Sequence, residues 1–340
     1  MTTLNRHIVL AKRPDEYPQY SDFRLIESEL PLTQEGQIAC KNLYLSLDAG
    51  FRNWMNESAG DEVLPAMPLG EPVMGLTLSK VIDSKHADYD VGDMLMARFA
   101  WEEYTVTNAD DFIVKLDKEL AFPPSYYMGV LGDTGMSAYF GITDIGKPKK
   151  GETVLVSAAG GAVGSIAGQI AKMSGARVVG ISSGAEKCQR LIDELGYDAA
   201  VDRKSTKGIE GEIRTVCPDG VDVYFDNVGG ETLQAAISNL NVNARVALCG
   251  SITQYNTDAP MPGPNNMFEL VTKEVTMKGF MTHMQAERYP EVRQQLQDWI
   301  NDGKLKSIEY CLDGIENAGV AFCDLFAGRN FGKTVVKLSD

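Results

Sequence analysis

The sequence predicts an α/β protein with two domains: a β-rich first domain and a second domain built on a doubly wound parallel sheet. Three observations indicate this fold. The chain has 340 residues, which is room for about two domains of ordinary size. Short apolar segments separated by Gly, Pro and Asp dominate its first third, as is typical of strands and turns. From Gly151 onwards, strand and helix patterns alternate regularly, as in a parallel sheet covered by helices on both faces.

The β-rich part extends to Pro123-Pro124, where the pattern changes. The first helix is predicted just beyond this point, at residues 134–140. The predicted strands of this part are residues 37–43, 74–81 and 94–98.

The alternating part supplies six strands with helices between them. Its predicted strands are residues 153–157, 177–181, 199–201, 221–226, 244–249 and 275–280. Its predicted helices are residues 163–173, 185–195, 208–216, 230–238 and 266–272. The tail is predicted to add a helix at 286–301, a strand at 308–311, a helix at 317–326 and a strand at 333–338.

Composition and charge exclude several classes of protein. Apolar residues make up 44% of the chain and charged residues 23%, as in an ordinary globular protein, and the net charge is −15. The chain has no block of Lys and Arg, so we expect it to bind neither nucleic acid nor a membrane surface. The first residues lack a signal-peptide pattern and the six cysteines form no CxxC pair, so we expect a cytoplasmic protein with reduced thiols. The three histidines lie far apart, and no metal site is expected.

The longest charge-free segment, residues 153–171, is long enough for a membrane span but is rich in glycine. It is better explained as a strand, followed by a turn of small residues and the start of a helix. That arrangement turns backbone N–H groups and the positive end of a helix dipole towards a dinucleotide pyrophosphate. The match to G-x-G-x-x-G is imperfect, because alanine occupies the first glycine position. A tight turn without a ligand is the alternative interpretation. The residues predicted to line the pyrophosphate are Ala159, Gly161, Ala162, Val163 and Gly164.

The end of the second strand of this unit distinguishes NAD from NADP. An acidic residue there would bind the ribose 2′-hydroxyl and repel a 2′-phosphate. This chain has Ser182 and Ser183 instead, followed by Lys187 and, further on, Arg203. Hydroxyl groups and cations suit a phosphate, so the sequence predicts NADPH. The alternative for Lys187 is a solvated charge on the face of a helix.

Several motifs occur in a fixed order over nearly the whole chain: residues 43–48 (LYLSLD) with Arg52 and Trp54-Met55, 157–164 (SAAGGAVG), 225–231 (FDNVGGE), 249–252 (CGSI) with Tyr255-Asn256, and 330–335 (NFGKTV). As a set they resemble the zinc-independent medium-chain dehydrogenases/reductases. The resemblance is to the branch that contains leukotriene hydroxydehydrogenase/prostaglandin reductase, plant alkenal double-bond reductases and bacterial curcumin reductase.

The resemblance implies a GroES-like domain, a Rossmann domain and a C-terminal segment that returns to the first domain, over residues 1–125, 126–300 and 301–340. It also implies NADPH-dependent reduction of the carbon–carbon double bond of an enone, alkenal or curcumin-like substrate. By matching position, Lys187 would contact the 2′-phosphate, and Arg203 falls where relatives often carry a tyrosine. The residues implied to line the rest of the cofactor site are Asn227, Cys249, Ser251, Tyr255 and Asn330. A homodimer is implied as well, and strand 275–280 is an edge that could pair with its copy.

In the implied reaction, hydride is delivered to the β-carbon, negative charge develops on the carbonyl oxygen, and the α-carbon takes a proton. Tyr255 is the leading candidate for the donor to that oxygen, because it follows the end of a predicted strand, where loops gather around the cofactor. A loop tyrosine that only packs against the ligand is the alternative, and a ribose hydroxyl or a water molecule could supply the same hydrogen bond.

Tyr44, Phe51, Trp54 and Thr272 are the candidate substrate-pocket residues. Relatives commonly have Pro-Tyr after the motif aspartate, where this chain has Ala-Gly and then Phe51. Some relatives place a tyrosine where Thr272 stands, so the substrate does not carry over by analogy. The segment 261–267 is expected to form a loop over the pocket.

Two other functions stay open from the sequence. One is a zinc-independent quinone oxidoreductase that uses the same NADPH site. The other is a dinucleotide-binding protein without catalytic activity, because a fold does not by itself determine function.

Overall fold

The computed structural model of the chain describes residues 3–59, 64–256 and 262–339. Its strands are β1 (Leu4–Leu10), β2 (Phe23–Glu29), β3 (Ile38–Ser46), β4 (Met74–Ser84), β5 (Met94–Ala100), β6 (Tyr104–Thr107), β7 (Ile113–Leu116), β8 (Thr153–Val156), β9 (Arg177–Ser182), β10 (Ala199–Asp202), β11 (Val221–Asp226), β12 (Leu240–Leu248), β13 (Thr276–Gly279), β14 (Glu309–Asp313) and β15 (Lys333–Lys337). Its α-helices are α1 (Asp133–Phe140), α2 (Ala162–Met173), α3 (Ala185–Leu195), α4 (Ile209–Val216), α5 (Gly230–Ser238), α6 (Phe268–Thr272), α7 (Tyr289–Asn301) and α8 (Ala318–Ala327).

The second sheet has six parallel strands in the order β10-β9-β8-β11-β12-β13. This is the order of a dinucleotide-binding fold, with the reversal of strand order between β8 and β11. Along β8, Val154 and Val156 pack into one hydrophobic cluster, whereas Leu155 packs into another on the opposite face. Burial on both faces explains why the sequence of this strand is continuously apolar. The predicted doubly wound parallel sheet is confirmed.

The first sheet has the order β14-β15-β3-β4-β5-β7, and β6 also pairs with β3. Strands β14 and β15 come from the end of the chain, and β15 lies antiparallel to β3. The polypeptide therefore leaves this sheet, forms the parallel sheet and returns to complete the first one. The predicted β-rich unit is confirmed, while the domain boundaries at residues 125 and 300 stay predictions.

The structure differs from the predicted elements mainly at their ends. Helix α7 begins at Tyr289 rather than at residue 286, because Pro290 occupies its first turn, where a missing N–H group costs no hydrogen bond. Strand β12 begins four residues earlier than predicted, at Leu240, and contains Asn243 with a φ of 62°. The hairpin of β1 and β2 was not predicted, because its exposed second strand gives little apolar periodicity.

In the part of the chain that the structure describes, no helix is both long and apolar enough to cross a bilayer. All six cysteines are unpaired. The cytoplasmic location stays a prediction.

Candidate active site

The conformation of the turn between β8 and α2 depends on three small residues. Ala158 adopts a left-handed conformation with a φ of 47°, and Gly161 caps the helix with extended backbone. A Cβ atom on Gly164 would lie 2.3 Å from the carbonyl oxygen of Ala158. Only glycine therefore allows the first turn of α2 to pack this closely against the strand.

The start of α2 has free backbone donors. No side chain from the described residues caps this helix, so the N–H groups of Ala162, Val163 and Gly164 have no partner within it. Uncapped N–H groups together with the helix dipole suit a pyrophosphate. The helix begins at Ala162, so these three residues belong to its first turn rather than to the preceding loop.

Cations surround the end of β9. Lys187 is half-buried, and its Nζ donates a hydrogen bond to the backbone oxygen of Asn330. Burial, together with the nearby charges of Arg190 and Lys204, lowers the pKa of Lys187. The exposed Arg203 donates from Nε to Ser183 Oγ at 3.2 Å. A negative ligand at this point would relieve the repulsion among these cations.

Asp202, the last residue of β10, uses Oδ1 of its side chain to hold the neighbouring turns together. Its Oδ1 accepts hydrogen bonds from the backbone N–H groups of Gly184 at 2.8 Å and Lys204 at 2.9 Å. Ser182 itself is buried at the end of β9. The structure thus brings Ser182, Lys187 and Arg203 together around the turn after β9.

The C-terminal segment lies directly on the phosphate turn. Gly332 N–H donates to the carbonyl oxygen of Gly160 at 2.8 Å. The guanidinium of Arg190 lies 3.9 Å from the centre of the Phe331 ring, a cation–π contact. Asn330 is buried, and its side chain donates to the Gly332 carbonyl oxygen at 3.2 Å. Residues 330–332 thereby form one wall of the cleft above the glycine turn.

Asn227 lies at the carboxyl end of β11, beside the end of β8. Its side-chain Nδ2 donates to the Ser157 carbonyl oxygen at 2.7 Å, and its N–H donates to Ser157 Oγ at 2.8 Å. The preceding Asp226 is buried and accepts hydrogen bonds from the Tyr224 hydroxyl and from the N–H of Val228. Asp226 therefore stabilises the turn, and Asn227 occupies the cleft edge.

Cys249, Ser251 and Tyr255 follow β12 at the same edge. Burial raises the pKa of the Cys249 thiol to about 12, so a thiolate nucleophile at neutral pH is excluded. The Tyr255 hydroxyl oxygen accepts a hydrogen bond from Ser251 N–H at 3.0 Å. No acceptor for the hydroxyl proton of Tyr255 occurs among the residues that the structure describes. Burial raises the pKa of Tyr255 and keeps that proton available for donation.

A short 3₁₀ helix, Ala49–Met55, brings aromatic residues from the first sheet to this loop. It contacts the 3₁₀ helix Ile252–Gln254 that precedes Tyr255. Phe51 and Trp54 pack edge to face with their ring centres 5.7 Å apart. Trp54 Nε1 is buried and has no hydrogen-bond partner in the described part of the chain. The indole N–H is thus a spare donor in the wall beside the Tyr255 loop.

Two further predicted pocket residues are not part of this wall. Tyr44 packs with a different hydrophobic cluster from the one that contains Phe51 and Trp54. Thr272 is exposed on α6. The backbone carbonyl oxygen of the next residue, Lys273, accepts a hydrogen bond from the N–H group of Asn243, which lies in the amino-terminal half of β12. The cleft is at the opposite, carboxyl end of that strand. The structure therefore places Thr272 away from this wall within one chain, and its assignment to the pocket stays a prediction.

The predicted pocket loop is described only in part. Residue 261 lies outside the described residues. The segment from residue 262 runs to α6, and there Asn265 and Asn266 hydrogen-bond to Gln234 on α5.

Sequence reasoning missed an ion pair between the buried Lys333 and the partly exposed Asp48. Lys333 is only 2% exposed, and its Nζ donates to Asp48 Oδ1 and to the Leu47 carbonyl oxygen. Ser46 Oγ donates to the other oxygen of Asp48. Asp48 and Lys333 both fell within the motifs 43–48 and 330–335, but nothing in either motif indicated that the two residues meet.

A second missed residue is Asp133, the first residue of α1. Its Oδ1 accepts hydrogen bonds from Thr282 Oγ1 and, at 3.4 Å, from the Tyr289 hydroxyl. Burial raises the pKa of Asp133, and the nearby charge of Asp48 raises it further. A small cavity of about 10 Å³, which is room for roughly one water molecule, lies against this carboxyl group. The cavity is lined by Ser46, Asp48, Leu76, Met96, Tyr127, Met128, Asp133 and Thr134.

Two protein-family models match the chain: one described as the N-terminal domain of oxidoreductases, over residues 6–114, and one described as zinc-binding dehydrogenase, over residues 162–298. Despite the second description, no three His, Cys, Asp or Glu side chains come together as metal ligands in residues 3–59, 64–256 and 262–339. The fold, the phosphate turn and these matches define an oxidoreductase of the medium-chain dehydrogenase/reductase class.

The chain belongs to the branch of that family that contains curcumin, alkenal and prostaglandin reductases. It is 37% identical over 340 residues to the NADPH-dependent curcumin reductase of Escherichia coli (strain K12), a match covering 98% of this chain and 97% of that protein. It is 38% identical over 339 residues to the 2-alkenal reductase (NADP(+)-dependent) of Nicotiana tabacum, covering 98% of each chain. The crystal structure of CurA in complex with NADPH from Vibrio vulnificus superposes with a TM-score of 0.91 at 38% identity, covering 98% of this chain and 99% of that chain.

We expect Lys333→Met to destabilise the fold by about 3 kcal/mol, because it leaves the Asp48 carboxylate without its buried cation. Urea denaturation measures the free energy of unfolding. Adding Asp48→Asn should recover part of the loss, since the unpaired charge is then gone. In the exposed pair of Lys304 with Asp302, Lys304→Met should change the stability by less than about 1 kcal/mol. Strictly additive effects of Lys333→Met and Asp48→Asn would show that the two side chains are not coupled.

Proposed function

We propose that this chain reduces the carbon–carbon double bond of α,β-unsaturated ketones and aldehydes with NADPH. The observation that carries the proposal is the position of the Tyr255 hydroxyl, with its proton free, at the same sheet edge as the uncapped phosphate turn. Relatives named as curcumin and 2-alkenal reductases support this substrate class.

For the cofactor, the proposal assigns the uncapped amides of α2 to the pyrophosphate and the cations after β9 to the 2′-phosphate. Bound NADPH would supply the hydride. The proposed cofactor residues are Ala159, Gly161, Ala162, Val163, Gly164, Ser182, Lys187, Arg203, Asn227, Cys249, Ser251 and Asn330.

For the substrate, we assign one wall of the pocket to Phe51 and Trp54 and the donor to Tyr255. When the β-carbon is reduced, negative charge accumulates on the carbonyl oxygen of the substrate. The Tyr255 hydroxyl already accepts a hydrogen bond from Ser251 N–H, which polarises it and directs its proton away from the loop. Donation from this hydroxyl stabilises the enolate as its charge develops.

We expect the wild-type protein to oxidise NADPH in the presence of small enones, alkenals or dienones, with loss of the substrate double bond seen by mass spectrometry. Tyr255→Phe should lower kcat by about 10²-fold, because it removes one donor to the developing oxyanion. NADPH absorbance under saturating substrate measures kcat for both proteins.

Tyr310→Phe is the matched control, because that hydroxyl donates a hydrogen bond to Asp324 on α8, and its loss should leave kcat unchanged. Unchanged turnover in Tyr255→Phe would remove Tyr255 as the required donor. Turnover of quinones alone would favour a quinone oxidoreductase. NADPH binding without turnover on any of these compounds would favour a non-catalytic nucleotide-binding protein.

We expect Lys187→Ala to weaken NADPH binding by about 10- to 100-fold, because it removes a charge-assisted contact to the 2′-phosphate. The affinity for NADH, which has no 2′-phosphate, should stay the same. Titration of cofactor fluorescence gives both dissociation constants. Lys172→Ala removes a lysine that pairs with Asp198 on the neighbouring surface and should alter neither affinity. Equal losses for NADPH and NADH would contradict this role of Lys187.

We also propose a homodimer through the edge strand β13. This edge leaves backbone groups of the sheet unpaired, and the adjacent Phe268 and Val271 are 74% and 67% exposed. Light scattering should give twice the mass of one chain, and Phe268→Asp should shift the protein towards the monomer. Leu32→Asp, at an 83% exposed leucine in the first domain, should not. A monomeric wild type would reject the dimer.

A further inference from the structure

The 3₁₀ helix Ala49–Met55 has three faces, because residues three positions apart lie above one another in a helix of this type. Arg52 and Met55 share one face, and both side chains are fully buried. Phe51 and Trp54 share a second face and pack with Met55 into one hydrophobic cluster beside the first sheet. Two of the three faces are therefore turned towards the first sheet.

The third face of this helix carries Gly50 and Asn53, which are both half-buried. The helix contacts residues 252–254, just before Tyr255. Because the other two faces pack towards the first sheet, the third face is the one left to meet this loop of the second sheet. Gly50 therefore faces the side of the cleft on which the proposed donor lies.

The backbone at Gly50 does not require glycine. Its φ is not in the left-handed region, so a residue with a side chain could adopt the same conformation. Within residues 3–59, 64–256 and 262–339, no atom beyond the chain neighbours of Gly50 would lie within 4 Å of a Cβ atom at this position. Glycine also weakens a helix relative to alanine, so neither the packing nor the helix explains it. The open space beside Gly50 is available to a ligand.

Two arginines fix the position of the helix around this space. Arg52 Nη2 donates to the backbone oxygens of Pro14 at 3.1 Å and of Glu16 at 2.8 Å. In the opposite direction, Arg13 Nη1 donates to the backbone oxygen of Met55 at 2.8 Å. Both residues of the buried face are thus attached to the segment 13–16, which keeps the helix from shifting to fill the space beside Gly50.

We propose that Gly50 is a specificity-determining residue, whose missing side chain makes room for a ring-sized group attached to the double bond of the substrate. The proposal rests on the double-bond reductase function proposed above. A ring in this space would lie next to the aromatic wall of Phe51 and Trp54 and would bury apolar surface there. The substrate class it indicates is that of enones with an aryl or cyclic substituent.

We expect Gly50→Leu to lower kcat/KM for benzylideneacetone by about 10- to 100-fold, because the new side chain occupies the space for the ring. The value for ethylideneacetone, which carries a methyl group in place of the phenyl ring, should stay within about twofold of the wild type. Gly50→Ala should give a smaller loss in the same direction. NADPH absorbance gives the rates for all three proteins.

Gly211→Leu is the matched control. Gly211 lies on α4, its φ is also not in the left-handed region, and a Cβ atom there would likewise meet no atom of the described residues within 4 Å. This substitution should leave kcat/KM for both ketones unchanged.

A binding measurement tests the same space without turnover. Titration calorimetry with the saturated ketone benzylacetone, in the presence of NADP⁺, gives its dissociation constant. Gly50→Leu should weaken this binding by about 10-fold, since the ring of the ketone and the new side chain compete for one volume. The affinity for NADP⁺ itself should be the same in the wild type and in the variant.

Different results separate the two proposals. Equal losses for benzylideneacetone and ethylideneacetone in Gly50→Leu, or no loss for either, would overturn the role of Gly50 alone. A wild type that reduces ethylideneacetone but not benzylideneacetone would do the same. A wild type that binds NADPH but reduces no enone would overturn the double-bond reductase function, even if benzylacetone binds more weakly to the variant.

Discussion

Residues 330–333 connect the two sheets, and the geometry of the cleft depends on them. The N–H group of Gly332 donates to Gly160 in the phosphate turn, and the ammonium of the next residue, Lys333, donates to Asp48 at the end of β3. Gly332 has a φ of 83°, and a Cβ atom there would lie 2.1 Å from the Ile308 carbonyl oxygen. Glycine is therefore required where the segment passes between the sheets, and it lets one short stretch position both the cofactor turn and the base of the cleft.

The segment 330–333 also places the positive charge of Lys333 at the base of the cleft. Removing the Lys333 ammonium from water is costly, and its hydrogen bonds to Asp48 and the Leu47 carbonyl offset that cost. Because the Lys333 ammonium is paired with Asp48, none of the residues that the structure describes forms an ion pair with the neighbouring Asp133. The partly exposed Asp48 carboxyl is thus balanced by charge, whereas the Asp133 carboxyl is held by two hydroxyl groups and burial raises its pKa.

The sequence predicted an element most accurately where the conformation of that element is determined by its own residues. The continuous apolar run of β8 and the glycine turn predicted the strand, the turn and the start of α2 to within one residue, because burial on both faces and the left-handed Ala158 are local requirements. It was less informative about the pocket. The motifs around Asp48 and Lys333 were visible, but their contact joins residues from opposite ends of the chain. Thr272 was assigned to the pocket by matching position, and within one chain its neighbour Lys273 hydrogen-bonds near the amino end of β12.

By itself, the sequence determined the alternation of strands and helices, the parallel sheet that this alternation builds and the anionic-ligand turn, because hydrophobic periodicity and glycine geometry act over a few neighbouring residues. Only the tertiary structure decided which side chains face one another across the cleft. The carboxyl group of Asp133 is held by Thr282 and Tyr289, which lie far along the chain in another part of the fold. Burial and charge pairing of this kind depend on three-dimensional neighbours, so no linear pattern contains them.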